Sequence, residues 1–504
     1  MLEKIKKYFT PEYILVTIIL AVSFVLRVFR VNEILNFNYD QGRDALVVWN
    51  LIHSHKFFLI GPTTGLPGIF RGPFYYYLIA PFYYLGKGNP IWPAVMLAIM
   101  SVMALGLMYY LAKKIGGKTA GFIALILGTF SFEVIYASRW LSNPTPMLFL
   151  SMILVLSMFL IQNKKKWAWI ILSLVLGLSF FSFGSSGEFF YFPAVVIFAI
   201  WQFFLKKGGI KNIPDLKIIL ISVGVFLLTF LPLLIFNFKH GNILANNIGG
   251  QFGGGKSFGI STWQFVLDRL SLIWTYFSSL IFHDPYTCEH IILIIFALAG
   301  IYFLLRLVKN ERIKVILILL LSVTFGLLFY QGNYGNLYQY YLTGYYLIFL
   351  LLVAAVLGAV FKSNLVGKIL VVCFLVYFIS QNWTVIKPYL STTGKESDTI
   401  ILDNQKEAID WIYKDAGSSQ FNVDEYVPPV IPYSYGYLFI WLGNTKYHIL
   451  PVDNEVPLLY TLYEVDPPHP ERLEAWLNRQ KGIGKVVKQE TFGGITVQER
   501  ERIK

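Results

Sequence analysis

Tyr13-Ile14-Leu15-Val16-Thr17-Ile18-Ile19-Leu20-Ala21-Val22-Ser23-Phe24-Val25-Leu26 is followed, a dozen residues on, by Asn38-Tyr39-Asp40-Gln41-Gly42-Arg43-Asp44. The first stretch lies within an apolar run, 12–30, of about the length that crosses a bilayer, roughly 20 residues. The second places two carboxylates and an arginine just beyond it. A carboxylate there sits near the lipid headgroups, where it can act on a lipid-linked molecule without entering hydrocarbon. An acidic pair in a solvated loop costs nothing, so its address is the informative feature.

The same run recurs along the chain. Eleven segments read as spans: 12–30, 91–112, 119–137, 144–162, 167–184, 188–205, 217–237, 289–307, 313–330, 338–361 and 366–384. The composition agrees, because 56% hydrophobic and 14% charged residues cannot clothe a soluble surface. The 32 Tyr and 12 Trp suit a membrane–water interface. Cys288 and Cys373 have no metal or disulfide spacing and read as small buried thiols. The basic start Lys4, Lys6, Lys7 with no small-residue cleavage site reads as an uncleaved signal anchor.

The net charge of +13 comes in clusters. Lys4/Lys6/Lys7, Lys113/Lys114/Lys118, Lys164/Lys165/Lys166, Lys206/Lys207/Lys211/Lys217, Arg306/Lys309/Arg312/Lys314 and Lys362/Lys368 occupy alternate connections. That is the pattern of cytoplasmic loops and not of a nucleic-acid surface, so no nucleic-acid partner is expected. The expected protein is an integral, multi-pass plasma-membrane protein with a cytoplasmic N-terminus. Segments 31–90, 238–288 and the C-terminal part then face outward. Within 31–90, residues 43–54 and 73–85 suit interfacial helices, and 61–68 a turn-rich connection. Gly254-Gly255-Lys256-Ser257 lacks the strand and glycine framing of a phosphate loop and reads as a flexible connection. Residues 263–282 read as interfacial, since one more span would invert every later basic cluster.

The expected fold class is an all-α polytopic membrane protein with a small C-terminal α/β extracytoplasmic domain. The transmembrane part covers 1–387 and the C-terminal domain 388–504. In the latter, helices are expected at 403–416 and 469–481, and strands at 421–427, 457–465, 485–490 and 494–499.

Three stretches carry a resemblance: Tyr39-Asp40-Gln41-Gly42-Arg43-Asp44-Ala45, Arg71-Gly72-Pro73-Phe74-Tyr75-Tyr76-Tyr77, and Ala137-Ser138-Arg139-Trp140-Leu141-Ser142-Asn143-Pro144-Thr145. With the span–loop–span order, the chain resembles the C-type integral-membrane glycosyltransferases, most of all the protein O-mannosyltransferase and lipid A aminoarabinose transferase superfamily. The resemblance covers residues 1–240 in detail and the rest only in architecture. It implies an enzyme that moves a monosaccharide from a polyprenyl-phosphate donor, in the membrane lipid, to a protein, lipid or glycan hydroxyl at the outer face. Asp40 matches the family's loop aspartate and would be the general base; its alternative is a helix N-cap. Asp44 could orient Arg43 or bind the sugar, and Gln41 and Arg43 are further substrate-binding candidates. Gln41 stands where many relatives carry a second acid, so a divalent cation is left open and none is predicted. Arg139 resembles the family's second-loop arginine and suits a phosphate clamp, or else anchors at the interface. Arg71 has the same two readings, and Lys239 and His240 read as phosphate contacts or a plain interfacial basic pair. Glu133, Glu188 and Asp268 read by default as solvated helix-end charges, with lining of the cavity as the alternative. Tyr338, Tyr340, Tyr341, Tyr345 and Tyr346 read chiefly as an interfacial belt, with carbohydrate stacking as the weaker alternative. The alternative from another class is a lipid or glycolipid transporter or flippase, but the spans hold almost no ionisable residues and show no inverted repeat.

Overall fold

The computed structural model describes residues 10–64, 68–206, 209–252, 263–284, 287–330, 336–428 and 431–503. The Gly254–Ser257 stretch and most of 331–337 lie outside the described residues.

Helix α1, Pro11–Val28, begins with proline at its first position, where no backbone donor is needed. After a short turn come α2, Tyr39–His53, and α3, Phe74–Leu85, the two helices expected in the first loop. The remaining membrane helices are α4 (Ile91–Phe130), α5 (Phe132–Arg139), α6 (Met147–Gln162), α7 (Ala168–Leu178), α8 (Tyr191–Ile200), α9 (Leu216–Lys239), α10 (Ile243–Phe252), α11 (Trp263–Ser278), α12 (Thr287–Leu307), α13 (Glu311–Leu328), α14 (Thr343–Ser363) and α15 (Leu365–Ser391). Among the described residues seven helices are long and apolar enough to cross a membrane, and Met147–Gln162 and Ala168–Phe183 are shorter apolar ones. Each of the eleven expected spans falls on one of these helices. The chain is an integral membrane protein: Leu220, Leu298 and Val376 stand bare on α9, α12 and α15, as lipid-facing side chains do.

Helix α4 runs 40 residues but breaks at Gly117, whose φ of 79° lies in the left-handed region. The two expected spans, 91–112 and 119–137, thus join through a glycine break beside Lys113, Lys114 and Lys118. The second ends earlier than its hydropathy suggests. Ser131 turns extended, its hydroxyl donates to Leu280 O at 2.7 Å, and Asn382 Oδ1 accepts the Phe132 N–H at 2.8 Å. Those polar contacts restart the chain as α5. Helices α4 and α14 pack through small residues; a Cβ on Gly358 would lie 2.9 Å from the Ala120 Cβ.

The C-terminal α/β unit consists of α16 (Leu402–Ala416), β1 (Asn422–Tyr426), α17 (Tyr433–Leu442), β2 (Leu458–Glu464), α18 (Pro470–Lys481), β3 (Gly484–Phe492) and β4 (Ile495–Arg502). The sheet order is β1-β2-β4-β3, with β1 parallel to β2 and the other pairs antiparallel. Every strand and helix expected there forms. Helix α17 was not expected, because Tyr433-Ser434-Tyr435-Gly436-Tyr437 carries no helical period. It exists because it packs on α2: a Cβ on Gly42 would meet Ser434 N at 2.3 Å. The unit is tied to the first loop further on, where Gln405 Nε2 donates to Phe37 O (3.0 Å) and Trp441 Nε1 to Lys87 O (3.0 Å). One thiol departs from expectation: Cys373 is exposed on α15.

Candidate active site

Helix α2 begins after a short helical segment, Val31–Ile34, that follows α1, and its cap sets the direction of every acidic side chain on it. Asn38 is the N-cap, and Gln41 Oε1 accepts the Asn38 N–H at 3.1 Å, closing a capping box. The cap alternative considered for Asp40 thus goes to Asn38. Asp40 occupies the second helical position, and its side chain is 54% exposed.

Arg43 is the hub. Its Nη1 lies 2.8 Å from Asp40 Oδ1 and 3.2 Å from Thr63 Oγ1, while Nε and Nη2 donate to Asp44 Oδ1 at 3.0 and 2.8 Å. Tyr76 of α3 donates to the same Asp44 oxygen at 3.2 Å. Asp44 is buried, with 5% of its side chain exposed. Burial pushes its carboxyl up to about 6, against the pull of the Arg43 guanidinium. The two aspartates are therefore unlike: Asp44 orients Arg43 from inside, and Arg43 holds Asp40 at the surface.

Gln41 is a correction to the substrate-binding assignment. It is buried, and its other amide end donates to Leu141 O at 3.2 Å, so both ends of the amide already have protein partners. Arg139 is a second correction. It is buried, and its guanidinium donates to Leu26 O (3.2 Å), Arg27 O (3.0 Å), Phe29 O (3.0 Å) and Tyr389 Oη (3.3 Å). Those carbonyls are the orphans at the C-terminus of α1, so Arg139 caps that helix and has no fork to offer a phosphate.

Arg71 is the opposite case. Its backbone is clamped, with Arg71 N donating to Pro62 O (2.9 Å), Gly61 N to Arg71 O (2.7 Å) and Gly72 N to Phe181 O (2.6 Å). Its guanidinium stands 5.5 Å from the Phe189 ring centroid and has no hydrogen-bond partner among the described residues. Burial pushes the Arg71 guanidinium below its ordinary value, while Glu188, Tyr330, Tyr340 and Tyr341 hold it up. Tyr340 is within electrostatic reach of both Asp40 and Arg71, and its ring packs against Trp140 at 5.5 Å. The tyrosine expected chiefly in an interfacial belt thus lies within electrostatic reach of both charges.

Two charges expected to be solvated are buried. Glu188 accepts from Ser185 N (2.7 Å) and Gly344 N (2.8 Å), because the turn at 187–190 folds inward. Glu133 accepts from or pairs with His283 Nδ1 at 2.7 Å. Asp268 is exposed as expected. Sequence reasoning missed Arg269, which is buried, stacks on Phe265 at 4.7 Å and reaches Tyr330 O at 3.5 Å. Its position in a loop segment of mixed polarity carried no signal of burial. Lys239 and His240 end α9 in the open; the His240 ring stacks on Phe236 at 4.1 Å, and the structure does not bring the pair to Asp40. No three His, Cys, Asp or Glu side chains converge as a metal site among the described residues.

Helical spans, a first loop with two interfacial helices, and a sheet-bearing C-terminal unit form a distinctive order. Residues 70–236 match the family of dolichyl-phosphate-mannose-protein mannosyltransferases. ArnT from Cupriavidus metallidurans, solved with undecaprenyl phosphate, superposes with a TM-score of 0.61 at 10% identity, over 96% of this chain and 97% of that one. The fold is that of the C-type glycosyltransferases. The oligosaccharyltransferase of Archaeoglobus fulgidus shares it, with a TM-score of 0.55 at 16% identity over 94% of this chain and 71% of that one. A second structure of that enzyme, AglB, with an inhibitory peptide and a dolichol-phosphate, gives 0.54 at 14% identity over 95% and 73%. No curated protein matches the chain. The family match spans the Arg71 and Arg139 stretches, the Asp40 stretch lies before it, and the match together with the C-type fold supports a membrane glycosyltransferase.

Proposed function

We propose that the protein moves a monosaccharide from a polyprenyl-phosphate donor to an acceptor hydroxyl at the external membrane face, with Asp40 as general base. The observation that carries this is the pairing of an exposed, Arg43-held carboxylate with a half-buried Arg71 guanidinium that has no hydrogen-bond partner among the described residues, both in electrostatic reach of Tyr340. The acceptor O–H gives its proton to an Asp40 oxygen as its own oxygen bonds the anomeric carbon. The bond from that carbon to the phosphate oxygen breaks, and the lipid phosphate leaves with the electron pair. Arg71 holds the charge that develops there, with Arg269 as a second cation. A donor of this kind keeps its tail in lipid and its phosphosugar at the interface, where α2 and α3 sit. The alternating basic clusters place this face outside and the N-terminus in the cytoplasm. The C-terminal unit, 388–504, is then extracytoplasmic, beside a transmembrane part spanning 1–387.

The test is purified protein with a panel of radiolabelled polyprenyl-phosphate sugars and soluble hydroxyl acceptors. One donor should be consumed, and Asp40→Asn should abolish transfer while donor binding persists. Unchanged transfer in that variant overturns Asp40 as base. Donor movement across a vesicle bilayer without sugar release would support the transporter instead.

A further inference from the structure

A cavity of about 230 Å³ lies between the first loop and the C-terminal unit. That is space for roughly eight waters, enough for one sugar ring and too small for an extended peptide. Its polar lining is Asn38, Tyr39, Ser434 and Glu464, and its apolar wall includes Val427, Pro428 and Ile431. Tyr39 joins it to the candidate active site. The Tyr39 ring forms one wall, packs edge-on to Tyr433 at 4.9 Å, and lies 6.0 Å from the Arg43 guanidinium carbon that holds Asp40.

Glu464 is buried at the end of β2, where Tyr435 Oη donates to its Oε1 at 2.7 Å. Gln405 lies against the same carboxyl, and its buried Oε1 has no hydrogen-bond partner among the described residues. Burial pushes Glu464 up to about 7, so the carboxyl can both donate and accept near neutral pH. A buried carboxyl, an amide and hydroxyls opposite an aliphatic and aromatic wall match the two sides of a sugar ring. The ring has a hydroxyl edge and an apolar C–H face. An ammonium group would need no neutral partners of this kind.

We propose that this cavity is an acceptor subsite that takes a sugar ring of a glycan acceptor, with Glu464 hydrogen-bonding its hydroxyls and Tyr39 forming the wall next to Asp40. The inference rests on the transferase assignment above but is tested without the donor. The full chain in nanodiscs is titrated with methyl glycosides of glucose, mannose, galactose and N-acetylglucosamine by saturation-transfer NMR. At least one should bind, Ile431→Trp should abolish its signal by filling the cavity, and Glu464→Gln should weaken it about tenfold. Ile431 is exposed enough to accept the larger ring, and the isosteric glutamine keeps a partner for Tyr435, so unfolding temperature checks both variants. Binding by no glycoside, binding that survives Ile431→Trp, or displacement of the glycoside by lysine amide or a serine/threonine peptide would overturn the subsite. The donor panel above fails or succeeds independently of these results.

Discussion

Arg71 and Arg139 present the same residue type at the same side of the bundle, and the structure uses them in opposite ways. Arg139 has its guanidinium filled by three carbonyls of the α1 terminus and the Tyr389 hydroxyl. Arg71 has its backbone fixed, and among the described residues its guanidinium is partnered only by a ring. A planar fork can clamp a phosphate only if its donors are free. The comparison teaches that the occupancy of the donors, more than position in a loop, separates a candidate ligand from a structural cap.

The largest effect should come from the exposed carboxylate held by Arg43. Asp40→Asn is expected to lower the transfer rate by about 10²–10⁴, the range for a lost general base, with unfolding temperature unchanged because the side chain is exposed. Next, Arg71→Ala should cost about 10²–10³ in transfer with little loss of stability, as removal of a charge-stabilising donor does. Arg139→Ala should reverse that signature. Stability should drop by about 2–4 kcal/mol as buried carbonyls lose their donors, while transfer per folded molecule largely persists, read by thermal unfolding beside a transfer assay. If Arg139→Ala instead abolished transfer in a stable protein, the contrast would be broken. Gln41→Ala should be milder, about 1 kcal/mol of stability, as for a lost cap.

The smallest effect concerns pH. Burial raises Asp44 from 3.8 to about 6 and Glu464 from 4.5 to about 7. The folded protein then binds more protons than the unfolded chain between these limits, so each carboxyl makes stability fall as pH rises through its window. Asp44→Asn should remove that fall between about pH 4 and 6, and Glu464→Gln between about pH 4.5 and 7. Melting curves of each variant against the parent check it; parallel curves across the window would show that burial does not set these carboxyls.

Much of this was legible from residues in a row. The eleven apolar runs each became helix, and so did 43–54 and 73–85 of the first loop. In the C-terminal unit, expected strands at 457–465 and 494–499 formed as Leu458–Glu464 and Ile495–Arg502. Local pattern suffices there because hydrophobic period and length depend only on neighbours. Helix α17 was illegible, since its helicity comes from docking on Gly42 nearly four hundred residues away. The site divided the same way. Asp40 and Arg71 stood out as charges beside a membrane face, whereas Arg269 and Tyr340 gained their place only by folding.

Sequence alone determined that the chain crosses a membrane, which way its basic clusters alternate, and that charged groups gather after the first span. Bilayer thickness and side-chain transfer energy act on contiguous residues, so a linear reading captures them. Tertiary structure alone decided which charged groups are free. Whether a guanidinium or carboxyl is unpartnered depends on carbonyls and hydroxyls brought in from distant helices. Asp44, Gln41 and Arg139 gained buried partners by that route, while Asp40 stayed at the surface and the Arg71 guanidinium stayed without a hydrogen-bond partner among the described residues.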